Sequence, residues 1–346
     1  MSGEKRLTLK NRKEEVLCIV LREYRCGDEA GMIDCIRDEY GSTYAKTECY
    51  SKAAIMENAA KGRAVFIIAQ IPKGEIVGTT AFVKTDGKTR TVYEIAAQVV
   101  KKTYRGYKIA LNIFQYGLEL IQNRDYAAVY SQPVLFHDIT QNLLGGLGFK
   151  AVGIMPGMFD LQVLHHSYDN GRNKKMPLGI QVRAKERQNA GRFYLPKQHK
   201  DFCMEQYEKL GIECEAVDSL TGDCEKMPAR SSFFYQYDRI HKYLEISMIT
   251  IGTDWERQLK LLLQAYPLKG KNTANLLLNI KDRYAASVYN RLTDKGFFFT
   301  GIKPLCGDSE YMILHHKGET SFYLEDLKLN REFIKIADYI REENKI

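Results

Sequence analysis

The stretch of this sequence that points most directly to chemistry is Val100–Ala110, VKKTYRGYKIA. It joins a run rich in β-branched residues to a segment with helical spacing of apolar side chains. A loop that opens a helix leaves several backbone N–H groups without intrahelical acceptors, and these suit an anion. Arg105 and Gly106 stand in that loop, and Lys101, Lys102, Arg105 and Lys108 surround it with positive charge. A pyrophosphate is the guest that such a loop fits.

Other residues that could do chemistry lack a supporting pattern. His165-His166 and His315-His316 are adjacent pairs at strand ends. Neighbouring strand residues point to opposite faces, so neither pair chelates one ion easily. The eight cysteines include no C-x-x-C spacing, so no metal site is expected. Cys35 and Cys49 lack a local base. Trp255 and the many tyrosines are spread as core residues would be.

The chain has 346 residues, which favours two domains, and its 45% apolar and 27% charged composition suits a soluble protein. No apolar run is long enough to cross a bilayer, and residues 1–15 lack a signal peptide's apolar core, so a cytoplasmic location is expected, with free thiols and no membrane partner. The net charge of +8 suits an anionic partner, either a nucleotide cofactor or nucleic acid. No Lys/Arg run is dense enough for a nucleic-acid arm, so a nucleic-acid partner is not expected.

The elements that must hold the loop follow from periodicity. Residues 17–25 read as a strand, Asp28 caps a helix to about Tyr40, and a second helix covers 51–61. Strands at 64–71, 75–84 and 91–100 follow, the last two joined by a hairpin at Asp86-Gly87. Ala110, Ile113, Gly117 and Ile121 mark the helix after the loop. A strand covers 126–133, and a helix 138–147 starts at an Asp138/Gln141 capping box. Gly148 then ends that helix, and a strand pair runs to His166.

The second half echoes the first. GFKAVGIMP (148–156) matches GFFFTGIKP (296–304), LQVLHH (161–166) matches YMILHH (311–316), and VYEI (92–95) matches YLEI (243–246). Three matches in one order argue for an internal duplication. The expected division is a basic segment 1–16, a domain 17–166, a linker 167–190 with room for one strand, a second domain 191–318 and a helical tail 319–346.

This order of elements resembles that of the GNAT superfamily of acyl-CoA-dependent N-acetyltransferases. VKKTYRGYKIA is similar to its CoA motif, a strand end followed by R-G-x-G-x-G/A: Arg105, Gly106 and Ala110 fit, and Lys108 replaces a glycine. HDITQNLLGGLGF (137–149) resembles N-x-x-A-x-x-L-Y-x-x-x-G-F, with His137 in place of Asn and Leu144 in place of Tyr. The resemblance covers 17–166 well and 190–316 weakly. It implies an α/β (α+β) fold of two GNAT-like domains, each a mixed, mostly antiparallel sheet flanked by helices, with a degenerate second domain.

By the same resemblance, acetyl-CoA is the cosubstrate and the acceptor is a small-molecule or peptide amine. Val99, Val100, Arg105, Gly106, Tyr107, Lys108, Ile109, Ala110 and His137 would contact CoA, and a backbone N–H near Val99 or Val100 would face the oxyanion. Glu94 is the implied base, or else a solvent-facing strand residue. His137, Tyr104, Tyr107 and Tyr130 are candidate acids, although His137 also suits a capping or CoA-contacting place. A non-catalytic acyl-CoA-binding or partner-binding module is the alternative. Asp254 and Glu256, at the equivalent helix start in the repeat, are expected to cap that helix and exclude a second CoA. Either a homodimer or a pseudo-dimeric monomer is compatible with this.

Overall fold

A computed structural model describes residues 3–87, 90–163, 171–186, 188–217 and 226–344. Residues 88–89, just after the expected Asp86-Gly87 turn, the His165-His166 pair and half of the 161–166 repeat segment lie outside them. The chain packs as two compact units. Residues 3–86 and 91–131 belong to the first, and 132–163 and 171–344 to the second.

The first unit contains β1 (Lys5–Lys10), β2 (Val16–Glu23), α1 (Glu29–Tyr40), α2 (Lys52–Ala60), β3 (Ala64–Gln70), β4 (Ile76–Asp86), β5 (Thr91–Val100), α3 (Ile109–Ile121) and β6 (Ala128–Ser131). The strands lie in chain order; β1 to β5 pair antiparallel and β6 pairs parallel to β5. Parallel pairing needs a crossover, and α3 supplies it. Met32, Ile36 and Ile55 of α1 and α2 pack with Phe66, Ala81, Ala96 and Val99 of the sheet. Gly117 lets α3 approach closely: a Cβ there would stand 2.2 Å from the Phe82 ring.

Asp28 does not cap α1. Its two carboxylate oxygens accept from Arg22 at 2.7 and 2.8 Å, a bidentate pair that leaves the helix end without a side-chain cap.

The second unit contains α4 (Ile139–Gly146), β7 (Lys150–Asp160), β8 (Lys175–Ala184), β9 (Gln188–Phe193), α5 (Lys200–Lys209), β10 (Ile212–Ala216), β11 (Ser232–Asp238), β12 (Tyr243–Thr250), α6 (Trp255–Ala265), β13 (Thr273–Asn279), α7 (Ala285–Thr293), β14 (Phe298–Cys306), β15 (Ser309–His316) and α8 (Arg331–Asn344). Its main sheet runs β8-β7-β14-β15-β13-β12-β11. The expected domain 17–166 therefore divides by packing at Ser131, because β7 finds both its neighbours, β8 and β14, further along the chain. The partner of β7 is not LQVLHH, whose described residues 161–163 form a turn, but β8, which lies inside the expected linker. The one strand allowed for in that linker is thus β8, whose apolar core is MPLGIQV.

The segments that match in sequence also share local geometry. Phe149 donates its N–H to Leu144 O at 3.1 Å, and Phe297 to Leu292 O at 3.2 Å, with Gly148 and Gly296 at φ +86° and +88°. Both helices thus end in the same glycine-terminated motif. Gly153 and Gly301, five residues past those glycines, face each other across the β7–β14 pair. The strand β12 pairs parallel with β13 as β5 does with β6.

Two expected caps are absent. Asp138 makes no side-chain cap on α4: its carboxylate accepts from Asn142 Nδ2 at 2.8 Å, while Gln141 is buried and its amide donates to His137 O at 2.7 Å and Lys328 O at 3.0 Å. Asp254 makes none on α6: Ser231 N–H and Gln258 Nε2 donate to its carboxylate at 2.7 and 2.8 Å, while Glu256 pairs with Arg291 and Lys295.

Candidate acyl-transfer site

The first unit's sheet opens where β5 and β6 part. Their pairing consists of Val92 with Ala128, Tyr93 with Val129 and Glu94 with Tyr130. Beyond that point β6 ends at Ser131 while β5 runs on to Val100. On its other side β5 bulges: Thr79 pairs with Val99 and Ala81 with Ala96, so Ala97 and Gln98 stand opposite Thr80 alone. Ala97 adopts φ +49° at this bulge, and its N–H donates to the Tyr44 hydroxyl at 2.9 Å. Two small side chains in succession, Ala96 and Ala97, allow the kink beneath α1.

From the end of β5 the chain enters the anion loop. Gly106 has φ +92° and Lys108 φ +59°. Lys108 thus takes the left-handed conformation that explains glycine at this place in the resembling motif. The helix α3 begins at Ile109 with no side-chain cap, leaving the first-turn N–H groups of Ile109, Ala110 and Leu111 directed out of the helix end. Replacing Lys108 by glycine should give a protein about 0.5–1 kcal/mol more stable than the alanine variant in thermal denaturation, the reverse of ordinary helix propensity. An alanine variant as stable as the glycine one would show that the position carries no strain.

The cations of the loop are not bare. Arg105 pairs with Glu39 of α1 and donates from Nε to Val100 O at 3.3 Å. Lys101 pairs with Asp34 and, at 2.9 Å, with Glu75. The Lys102 N–H donates to Asp38 at 2.8 Å. These carboxylates fix the loop against α1, and they reduce the positive field that composition alone suggests. The hydroxyls of Tyr104 and Tyr107 donate to Glu75 at 2.9 Å and Glu15 at 3.3 Å. The Glu75 bond raises the Tyr104 phenol above its ordinary value.

On the α1 and α2 face of the sheet lies a cavity of about 70 Å³. Ala96 and Ala97 of the bulge, Thr79, Cys49 and Lys46 line it, with apolar walls from Met32, Ile36, Ile55 and Phe66. Thr79 is 1% exposed, and its hydroxyl has no hydrogen-bond partner among the described residues. Glu94 stands at the point where the strands part, half-buried, with its Oε1 2.7 Å from Lys46 Nζ. Burial pushes the Cys35 and Cys49 thiols up to about 12, which removes both as nucleophiles at neutral pH.

Glu94, Val99, Val100, Arg105, Gly106, Tyr107, Lys108, Ile109 and Ala110 therefore share one unit and one edge of its sheet. Val99 is buried in the core, and Val100 O accepts from Arg105. His137 belongs to the second unit, half-buried just before α4, and Leu144 is fully buried there. Sequence reasoning missed Tyr44, Lys46 and Thr79. The bend that carries Tyr44 and Lys46 has no periodicity to mark it. His315 is buried and shares a 2.8 Å hydrogen bond with Asn275; burial first, then His316, holds it down at about 3. No cluster among the described residues could hold a metal ion, and no helix among them is long and apolar enough to cross a membrane.

No protein-family model matches the chain, and no curated protein matches it. Solved structures do. The chain is similar to N-acetyltransferases of the GNAT family. One is YhbS from Escherichia coli, solved with CoA: 17% identical, covering 50% of this chain and 84% of that one, TM-score 0.34. Another is the ribosomal-protein-S5-alanine acetyltransferase of Vibrio fischeri, at 8% identity, 49% and 93% coverage and TM-score 0.39. NAA60 of Arabidopsis thaliana, solved with a bisubstrate analogue, gives 16%, 48%, 97% and 0.38. Likeness at this level assigns no activity, which has to come from the chain's own residues.

Proposed function

We propose that this protein is an N-acetyltransferase that moves an acetyl group from acetyl-CoA to a primary amine. The observation that carries the reading is the sequence of three features along one stretch of chain. The strand β5 parts from β6 after Glu94, bulges at Ala97, and leads through the left-handed Gly106 and Lys108 into the uncapped start of α3. The uncapped N–H groups suit a pyrophosphate, and the gap between the strands suits the extended arm of the thioester.

In this reading the amides of 106–111 hold the phosphates, with Lys108 and Arg105 adding charge. Backbone N–H groups near Val99 and Val100 serve the oxyanion. Glu94 takes the proton of the acceptor ammonium, directly or through water, because an ammonium has no lone pair with which to attack. His137 is given no step; a thiolate can leave without a dedicated acid, since thiols ionise near pH 8.5. Asp254 and Glu256 stand by the start of α6, where their charge opposes a phosphate, so one CoA per chain is proposed.

Calorimetry tests the reading. Arg105→Glu places a second carboxylate beside Glu39 and the phosphates, and should weaken CoA binding at least about tenfold, or 1.4 kcal/mol. Unchanged affinity, or two equivalent sites per chain, would remove the assignment. A second reading, CoA binding without catalysis, is favoured by the ion pair that Lys46 makes with Glu94. Release of free thiol from acetyl-CoA with a panel of primary amines decides between the two.

A further inference from the structure

Lys46 lies in the bend between α1 and the single 3-10 turn Thr47–Tyr50. The bend is held to β5 at two points. The Tyr44 hydroxyl accepts the Ala97 N–H at the bulge, and Lys46 Nζ donates to Glu94 Oε1 at 2.7 Å. Tyr44 is itself fixed, its N–H donating to the Tyr50 hydroxyl at 3.0 Å and its ring lying 4.8 Å from that of Tyr40. The side chains of Lys46 and Glu94 are 36% and 31% exposed, so the pair is half-buried rather than a loose surface contact. Lys46 also lines the cavity whose wall includes Ala96 and Ala97. A primary amine thus already sits in contact with the carboxylate to which an external amine would have to give its proton.

We infer that Lys46 is an acetyl acceptor within its own chain. The inference rests on the acetyl-CoA reading above. The balance is simple. Glu94 takes a proton from the Lys46 ammonium; the freed Nζ lone pair forms a bond to the acetyl carbonyl carbon; as the carbon–sulfur bond breaks, the nitrogen gives its second proton to solvent and the departing thiolate takes one from solvent. The products are an N-acetylated Lys46, CoA thiol and one proton released when Glu94 re-ionises. Acetylation removes the positive charge and with it the ion pair that covers Glu94, so the modified chain offers the carboxylate to an external amine.

The experiment uses the full chain with acetyl-CoA, followed by intact mass and peptide mapping. Lys46 should gain one acetyl group at least about tenfold faster than any other lysine, because its amine and base are already in contact. The rate per chain should not change on dilution, and the preference should vanish in urea. Lys46→Arg should keep a cation on Glu94 and lose the fast modification while still binding CoA in calorimetry. If CoA binds and Lys46 is modified no faster in the folded than in the unfolded chain, this inference is overturned and the acetyltransferase reading stands. If the chain binds no CoA, both fall.

Discussion

Replacing Glu94 by glutamine should lower the turnover of the best amine in a panel by about two to four orders of magnitude at neutral pH, the usual range for a lost general base. Glutamine keeps the size of the side chain and one carbonyl acceptor, so Lys46 can still be held near it, but it cannot take a proton. The loss should therefore shrink as pH rises, because the acceptor amine then deprotonates in solution before binding. CoA affinity should stay within about twofold, since Glu94 stands at the last paired position of β5 and β6 and not in the phosphate loop. Thiol release measured across pH checks this. Wild-type turnover at every pH would leave Glu94 a structural residue of the strand.

Gly301→Val should lower the stability of the second unit by about 3 kcal/mol or more. Gly301 sits at φ +137°, a conformation side chains rarely adopt, and a Cβ built there would stand 2.2 Å from Gly153 Cα and 2.8 Å from Val152 O. Both obstacles are backbone, so no rotamer change relieves them. Scanning calorimetry should show the melting temperature fall by about 6 °C or more, with Gly301→Ala falling less. A valine variant that melts with the wild type would mean that β7 and β14 do not approach as described.

Much of the first unit was legible because its signals are local. Alternating and β-branched runs marked β3 to β5, and the Arg105-Gly106 start marked α3. The glycine that the motif has in place of Lys108 marked the position, but not that the backbone turns left-handed there. What escaped was non-local. Lys46 and Glu94 are separated by β3 and β4, and nothing in either neighbourhood announces the pair. Asp28 looked like a cap because sequence shows the helix start but not Arg22, which reaches the carboxylate first. A strand within 167–190 was expected, but its place in the sheet beside β7 was not, because that pairing is set by packing rather than by local composition. The strand pair expected up to His166 was sought at the next apolar run after β7, whereas the described residues of that run, 161–163, form a turn.

The closeness of Gly153 to Gly301 also bears on modularity. The matching segments 148–156 and 296–304 meet at this pair, and Gly301 has no room for a side chain because Gly153 lies against it. A fragment ending at residue 166 would carry β7 without β8 or β14, leaving a long apolar strand with both edges bare, a template for aggregation. The end of the matching segment at residue 166 is thus not a place where the polypeptide can be cut.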